Sequence, residues 1–124
     1  MTVSHHSKPV ERRRDVRVRP AADYEVKVEL EVRGLPTSLQ VVDISLGGMG
    51  ILVSHLLGEL AVGDELALKM SIHGGEPFDV TAVIRHTGPP GFGVCGAQFH
   101  DLSDVARTAI RRCVSDLLER GQHF

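Results

Sequence analysis

The sequence lacks the residues on which several kinds of site depend. Among 124 residues there is no tryptophan, aromatic residues make up 4%, and the two cysteines, Cys95 and Cys113, do not form a disulfide framework. The seven histidines show neither HxxxH spacing nor a cluster with cysteine, so a zinc site is not expected. There is no GxSxG elbow and no P-loop lysine. We therefore predict a protein without a cofactor and without catalytic activity.

Long hydrophobic runs are also missing. No stretch approaches the 18 or so apolar residues of a membrane span, and the N-terminus carries no apolar segment typical of a signal peptide. A hydrophobic content of 42% with 24% charged residues is ordinary for a globular protein, and the length suits one domain. We expect a single cytoplasmic domain with no membrane span.

Positive charge is concentrated in one segment. Residues 8–20 hold six basic and two acidic side chains, a net charge of +4. Because the whole chain has a net charge of −2, the rest of the chain carries a net charge of −6. Such a local field attracts a compact anionic ligand, whereas the acidic remainder of the chain disfavours broad binding to nucleic acid.

Alternation of polar and apolar residues predicts strands through the middle of the chain. Turn residues divide this region, with a turn expected at 34–36 and β-bulges at Gly93 and Gly96. Short strands at regular spacing predict a small antiparallel barrel or sandwich. The expected strands are 23–33, 39–45, 49–54, 65–72, 78–86 and 92–99.

Helical periodicity replaces this alternation after Asp101. Apolar residues then recur at spacings of three and four, at Val105, Ala109, Cys113, Val114, Leu117 and Leu118. We predict a flexible tail over 1–10 and one domain over 11–124. That domain comprises a ligand-binding arm over 11–20, a β-barrel over 22–100 and a C-terminal helix over 102–120.

The arm contains an RxxxR pattern formed by Arg13 and Arg17. In an extended segment, residues four apart point to the same side, so both guanidinium groups could clamp one ligand. The planar fork of arginine pairs with phosphate or with guanine and stacks on a base. Taken alone, the pattern is better explained by a solvated basic linker than by a ligand clamp.

A second pattern, DxSxxG, begins at Asp43 near the end of the second expected strand. Asp43 and Ser45 are two residues apart and would share one face, and Gly48 would permit a turn with positive φ or a close approach by a flat ligand. The alternative is a plain turn, initiated by Asp and Ser and completed by glycine.

The two patterns in this order resemble the PilZ domain, the bacterial receptor module for cyclic di-GMP. The resemblance implies a β-dominated fold, a six-stranded antiparallel β-barrel with a C-terminal α-helix. It implies that the arginines hold guanine and phosphate groups, and that the DxSxxG residues line the guanine. Arg85 and Gly96 are less specific matches. The implied ligand-binding residues are Arg12, Arg13, Arg17, Asp43, Ser45, Gly47 and Gly48.

The resemblance also implies a function in second-messenger signalling. It suggests a stand-alone receptor or adaptor whose arginine arm becomes ordered on cyclic di-GMP and which then signals to an unidentified protein partner. Two alternatives remain open at this point. One is a PilZ-like protein–protein interaction module that binds no nucleotide, and the other is a small nucleic-acid binder that uses the basic arm.

Overall fold

The computed structural model describes residues 16–53, 60–87 and 93–122. The expected tail over 1–10 and the first half of the arm lie outside these residues. Within them, six strands precede one helix. The strands are β1 (Val26–Val32), β2 (Leu35–Ile44), β3 (Gly48–Leu52), β4 (Glu65–Ile72), β5 (Phe78–Thr87) and β6 (Val94–His100), and the helix is α1 (Asp104–Glu119).

The six strands form a closed antiparallel barrel in the order β1-β2-β3-β6-β5-β4. Pairing of β1 with β4 closes the sheet, so neither strand is left as an open edge that could pair with another chain. The predicted fold class, a six-stranded barrel with a C-terminal helix, is confirmed. The order also places β3 beside β6, although more than 40 residues separate them in sequence.

Alternating burial along the strands explains why the barrel forms. In β1 every second residue is buried, beginning with Val26 and Val28, and β4 follows the same rule through Leu66, Leu68 and Met70. These side chains fill the interior, while the residues between them face outward. The period of two therefore specifies which face of each strand is apolar.

The β1–β2 turn is tighter than predicted. Arg33 and Gly34 have φ values of 53° and 81°, the left-handed pair typical of a two-residue hairpin turn. Leu35 can then pair with Val32 and Pro36 with Glu31, so β2 starts four residues earlier than expected. The prediction of a turn over 34–36 is wrong for Leu35 and Pro36, because the positive φ angles of Arg33 and Gly34 already reverse the chain.

Helix α1 begins after Ser103, whose side chain accepts a hydrogen bond from the Ala106 amide at 3.1 Å. Its buried face includes Ile110, Cys113 and Leu117, which join the barrel core. Burial raises the pKa of the Cys113 thiol to about 12. Two residues expected on this face, Val105 and Leu118, are instead exposed. No helix in the described part of the chain is long and apolar enough to cross a membrane.

Candidate ligand-binding site

The second half of the basic arm lies against the end of β2. Val18 and Ile44 form an antiparallel bridge in which each amide donates to the other residue's carbonyl at 2.9 Å. The Val18 side chain is fully buried in the core, and the Arg19 amide donates to the Gln122 carbonyl at 2.7 Å. The backbone of the arm at Val18 is thus attached both to β2 and to the segment that follows α1.

This bridge brings one residue of each sequence motif together. Arg17 precedes Val18, Asp43 precedes Ile44, and Arg17 Nη1 lies 2.6 Å from Asp43 Oδ1. The Arg17 side chain is 44% exposed and the Asp43 side chain 19%. Ion pairs with this degree of exposure contribute about 0.2–1 kcal/mol, so the partners can be exchanged for those of a ligand at small cost.

The Asp43 carboxylate is also oriented by a hydrogen bond from the backbone of β3. Its Oδ1 accepts a hydrogen bond from the Gly50 amide at 3.1 Å, across the β2–β3 pair. The pairing shifts between Val41 and Asp43, and a β-bulge of this kind redirects the side chains beside it. The carboxylate is therefore held over Gly50 with its second oxygen available to an incoming donor such as an N–H group of guanine.

Ser45 has a different position from the one predicted. Its side chain is buried, and its Oγ accepts hydrogen bonds from the amides of Gly47 at 3.3 Å and Gly48 at 3.2 Å. The Ser45 amide donates to the Gly48 carbonyl at 2.8 Å, which completes the turn. Ser45 thus shapes the corner between β2 and β3 and does not share an outward face with Asp43.

Glycine at position 48 is required by the neighbouring strand. Gly48 pairs with Gln98, its φ is not positive, and a Cβ added to it would run into the carbonyl oxygen of Ala97. Gly47, at the same corner, accepts a hydrogen bond from the Phe99 amide at 2.9 Å. Gly48 therefore allows β3 to approach β6 closely, and the Gly47 carbonyl attaches the corner to β6.

A row of four residues crosses the outer face of the barrel next to this corner. Asp43 pairs with Gly50, Gly50 with Gly96, and Gly96 with His86. The two glycines leave the backbone of β3 and β6 without side chains, and we call the row the glycine shelf. Gly96 is a weak match to the family pattern, whereas no sequence pattern identifies Gly50 and His86 as site residues, because only the β3–β6–β5 pairing makes them neighbours.

The expected bulge at Gly96 is wrong. The extra residue lies on β5, where the pairing shifts between Ile84 and His86 and leaves Arg85 unpaired in the ladder. Arg85 Nε donates to Gln98 Oε1 at 2.6 Å on the outer surface. A second cationic side chain is thus held on the outer surface beside the shelf, where an anionic ligand could meet it.

Two predicted site residues, Arg12 and Arg13, lie outside the described residues. The RxxxR pair is therefore represented here by Arg17. Over residues 16–53, 60–87 and 93–122, no group of three or more His, Cys, Asp or Glu side chains is arranged to hold a metal ion. The polar groups of the described site are suited to hydrogen bonding and charge pairing with a ligand.

Comparisons with known proteins identify a family and a shared fold. A family model described as PilZ domain matches residues 11–116. Among solved structures, the PilZ domain of YcgR from Escherichia coli with c-di-GMP aligns with a TM-score of 0.63 at 17% identity, covering 88% of this chain and 94% of that one. The MrkH–c-di-GMP complex from K. pneumonia has a TM-score of 0.72 at 17% identity, covering 88% of this chain and 54% of that one.

A third solved structure, the inhibitor of motility MotI/DgrA from Bacillus subtilis, has a TM-score of 0.59 at 17% identity. The alignment covers 88% of this chain and 51% of that one, so the chain spans about half the length of the MrkH and MotI/DgrA chains. At these identities the likeness shows the shared barrel fold. No curated protein sequence matches the chain.

Proposed function

This chain belongs to the PilZ domain family, and we propose that it is a receptor that binds cyclic di-GMP beside Arg17 and Asp43. The observation that carries the proposal is the contact between these two side chains, which come from separate motifs 26 residues apart and meet at the edge of the glycine shelf. The solved structures of YcgR and MrkH with c-di-GMP support the choice of ligand.

The ion pair supplies both halves of guanine recognition. Arg17 can donate two parallel hydrogen bonds to the O6/N7 edge of guanine or to a phosphate, and Asp43 can accept from guanine N–H groups. On binding, the ligand replaces Asp43 as the partner of Arg17 and replaces Arg17 as the partner of Asp43. Since the Gly50 amide continues to orient the Asp43 carboxylate, that group needs little reorganisation.

We further infer that cyclic di-GMP orders the rest of the arginine arm. Arg12 and Arg13 precede the attached segment at Val18 and would bring further guanidinium groups to the same ligand. Closure of the arm would create a surface that exists only in the bound state, at some cost in affinity. Such a surface is what a downstream protein partner would recognise, and the chain would act as a receptor and not as an enzyme.

Isothermal titration calorimetry with cyclic di-GMP tests this proposal. We expect the wild type to bind, and Arg17→Ala and Asp43→Ala each to weaken binding by about 1.5–3 kcal/mol, or about 10- to 150-fold, the usual range for hydrogen bonds to charged groups. Lys69→Ala is a matched control, because it breaks an exposed 2.8 Å ion pair with Asp79 on β4 and β5. It should leave affinity unchanged.

The outcomes separate the proposal from its alternatives. Absence of heat with the wild type at tens of micromolar ligand would exclude a cyclic di-GMP receptor. Binding that neither Arg17→Ala nor Asp43→Ala weakens would place the ligand elsewhere on the protein. Equal binding of GTP and cyclic di-AMP, with a steep loss of affinity in salt, would indicate non-specific attraction of anions to the basic arm.

A further inference from the structure

The end of the glycine shelf opposite Asp43 is covered by an aromatic ring. His86 is exposed, yet its imidazole lies directly over Gly96, and a Cβ added at Gly96 would run into that ring. Gly96 is buried, and the imidazole lies where its side chain would extend. The ring therefore rests on bare backbone with its other side toward solvent.

The two ends of the shelf are built in the same way. The pairing shifts beside Asp43 on β2 and beside His86 on β5, so a β-bulge accompanies the side chain at each end. At one end the Asp43 carboxylate lies over Gly50, and at the other the imidazole lies over Gly96. Bulges commonly aim side chains at binding sites.

The groups at the two ends of the shelf lie close enough together to meet one ligand. Gly50 and Gly96 are paired across neighbouring strands about 4.8 Å apart, so the Asp43 carboxylate over Gly50 and the His86 imidazole over Gly96 are separated by about one strand spacing. A dinucleotide held by Arg17 and Asp43 would therefore have a guanine within reach of the imidazole.

Other aromatic side chains of the described residues are already engaged. Tyr24 stacks on His73 with ring centroids 4.3 Å apart, and Phe78 and Phe99 pack against the core. The His100 imidazole lies 3.2 Å from the Asp101 carboxylate. His86 is thus the aromatic group that the described structure places on the shelf. Histidine rings are among the side chains on which nucleotide bases stack.

We propose that His86 is a ligand-contacting residue whose imidazole stacks on one guanine of cyclic di-GMP while Arg17 and Asp43 bind the remainder of the dinucleotide. This inference rests on the proposed function. It assigns His86 a contact through its ring face, so that a ring without nitrogen can replace it but a methyl group cannot.

Calorimetry with cyclic di-GMP tests the role of the ring. We expect His86→Ala to bind about tenfold more weakly, within the range found when a stacking side chain is truncated, and His86→Phe to remain within about threefold of the wild type. The control, His73→Ala, removes a histidine ring that stacks on Tyr24 outside the shelf, and it should leave affinity unchanged. Thermal melting of each variant establishes that it is folded at the titration temperature.

Each result has a distinct meaning. If the wild type binds and His86→Ala binds equally well, the ring does not contact the ligand and the inference is wrong while the proposed function stands. If His86→Phe loses as much affinity as His86→Ala, stacking is refuted. If the wild type does not bind cyclic di-GMP, the proposed function is overturned and this inference with it.

Discussion

Replacing Gly48 by alanine is expected to destabilise the barrel as well as to weaken ligand binding. A Cβ at this position would lie 3.2 Å from the Gln98 Cα and 3.3 Å from the Ala97 carbonyl carbon, in addition to meeting the Ala97 oxygen. All three atoms belong to the backbone of β6, so no side-chain rotation can relieve the overlap. The strands β3 and β6 must move apart around residue 48.

The cost can be worked out from the contacts that would change. Separation of the strands weakens one or two ladder hydrogen bonds, each worth about 1 kcal/mol net, and the remaining overlap adds about 1–3 kcal/mol, as overpacking does in a core. We expect Gly48→Ala to lower the free energy of unfolding by about 3 kcal/mol. For a domain of this size that corresponds to a melting temperature lower by about 12 °C.

Urea unfolding followed by circular dichroism measures this change, with Gly34→Ala as the control. Gly34 has a φ of 81° but no atom within 4 Å of an added Cβ, so only backbone strain of about 1 kcal/mol is expected there. A Gly48→Ala protein within 1 kcal/mol of the wild type would refute the packing argument. Arg17→Ala, which removes an exposed ion pair, should reduce affinity with little loss of stability.

Two further predictions concern the corner and the entry to β1. Ser45→Ala removes the acceptor of one buried and one partly buried amide hydrogen bond and should cost about 1–2 kcal/mol in urea unfolding; an unchanged midpoint would contradict this. The 2.8 Å hydrogen bond from Arg120 holds the pKa of Asp23 below its ordinary value. That interaction stabilises the fold above about pH 4 and is lost as the pH falls through the lowered pKa. Asp23→Asn should therefore be less stable than the wild type at pH 7, and the difference should shrink as the pH falls through the lowered pKa of Asp23. A difference that does not change with pH would contradict this.

The fold was predictable because the pattern of apolar residues encodes it locally. The alternation through β1 and β4 and the change to a helical period after Asp101 identify the elements and their buried faces. The start of β2 was not predictable in the same way. A glycine followed closely by a proline, as at Gly34 and Pro36, is typical of a turn. The positive φ angles of Arg33 and Gly34, however, complete the turn before Leu35.

The candidate site was likewise predictable from the sequence only in part. The motifs pointed to Arg17 and Asp43, which the structure brings together, and also to Arg12 and Arg13, which lie outside the described residues. They also assigned Ser45 to the ligand face, where the buried hydroxyl instead closes the turn. A motif records which residues occur together, but the direction of each side chain depends on hydrogen bonds that form only when the corner folds.

By itself, the sequence determined the strand faces, the terminal helix and the basic arm, since each of these depends on residues close together in the chain, and it determined the family through the order of two short motifs. Only the tertiary structure decided that Gly50 lies beside Gly96 and that His86 covers the far end of the shelf. Barrel closure sets these neighbours, because the pairing of β3 with β6 and of β6 with β5 depends on how the whole sheet curls and on where its bulges fall.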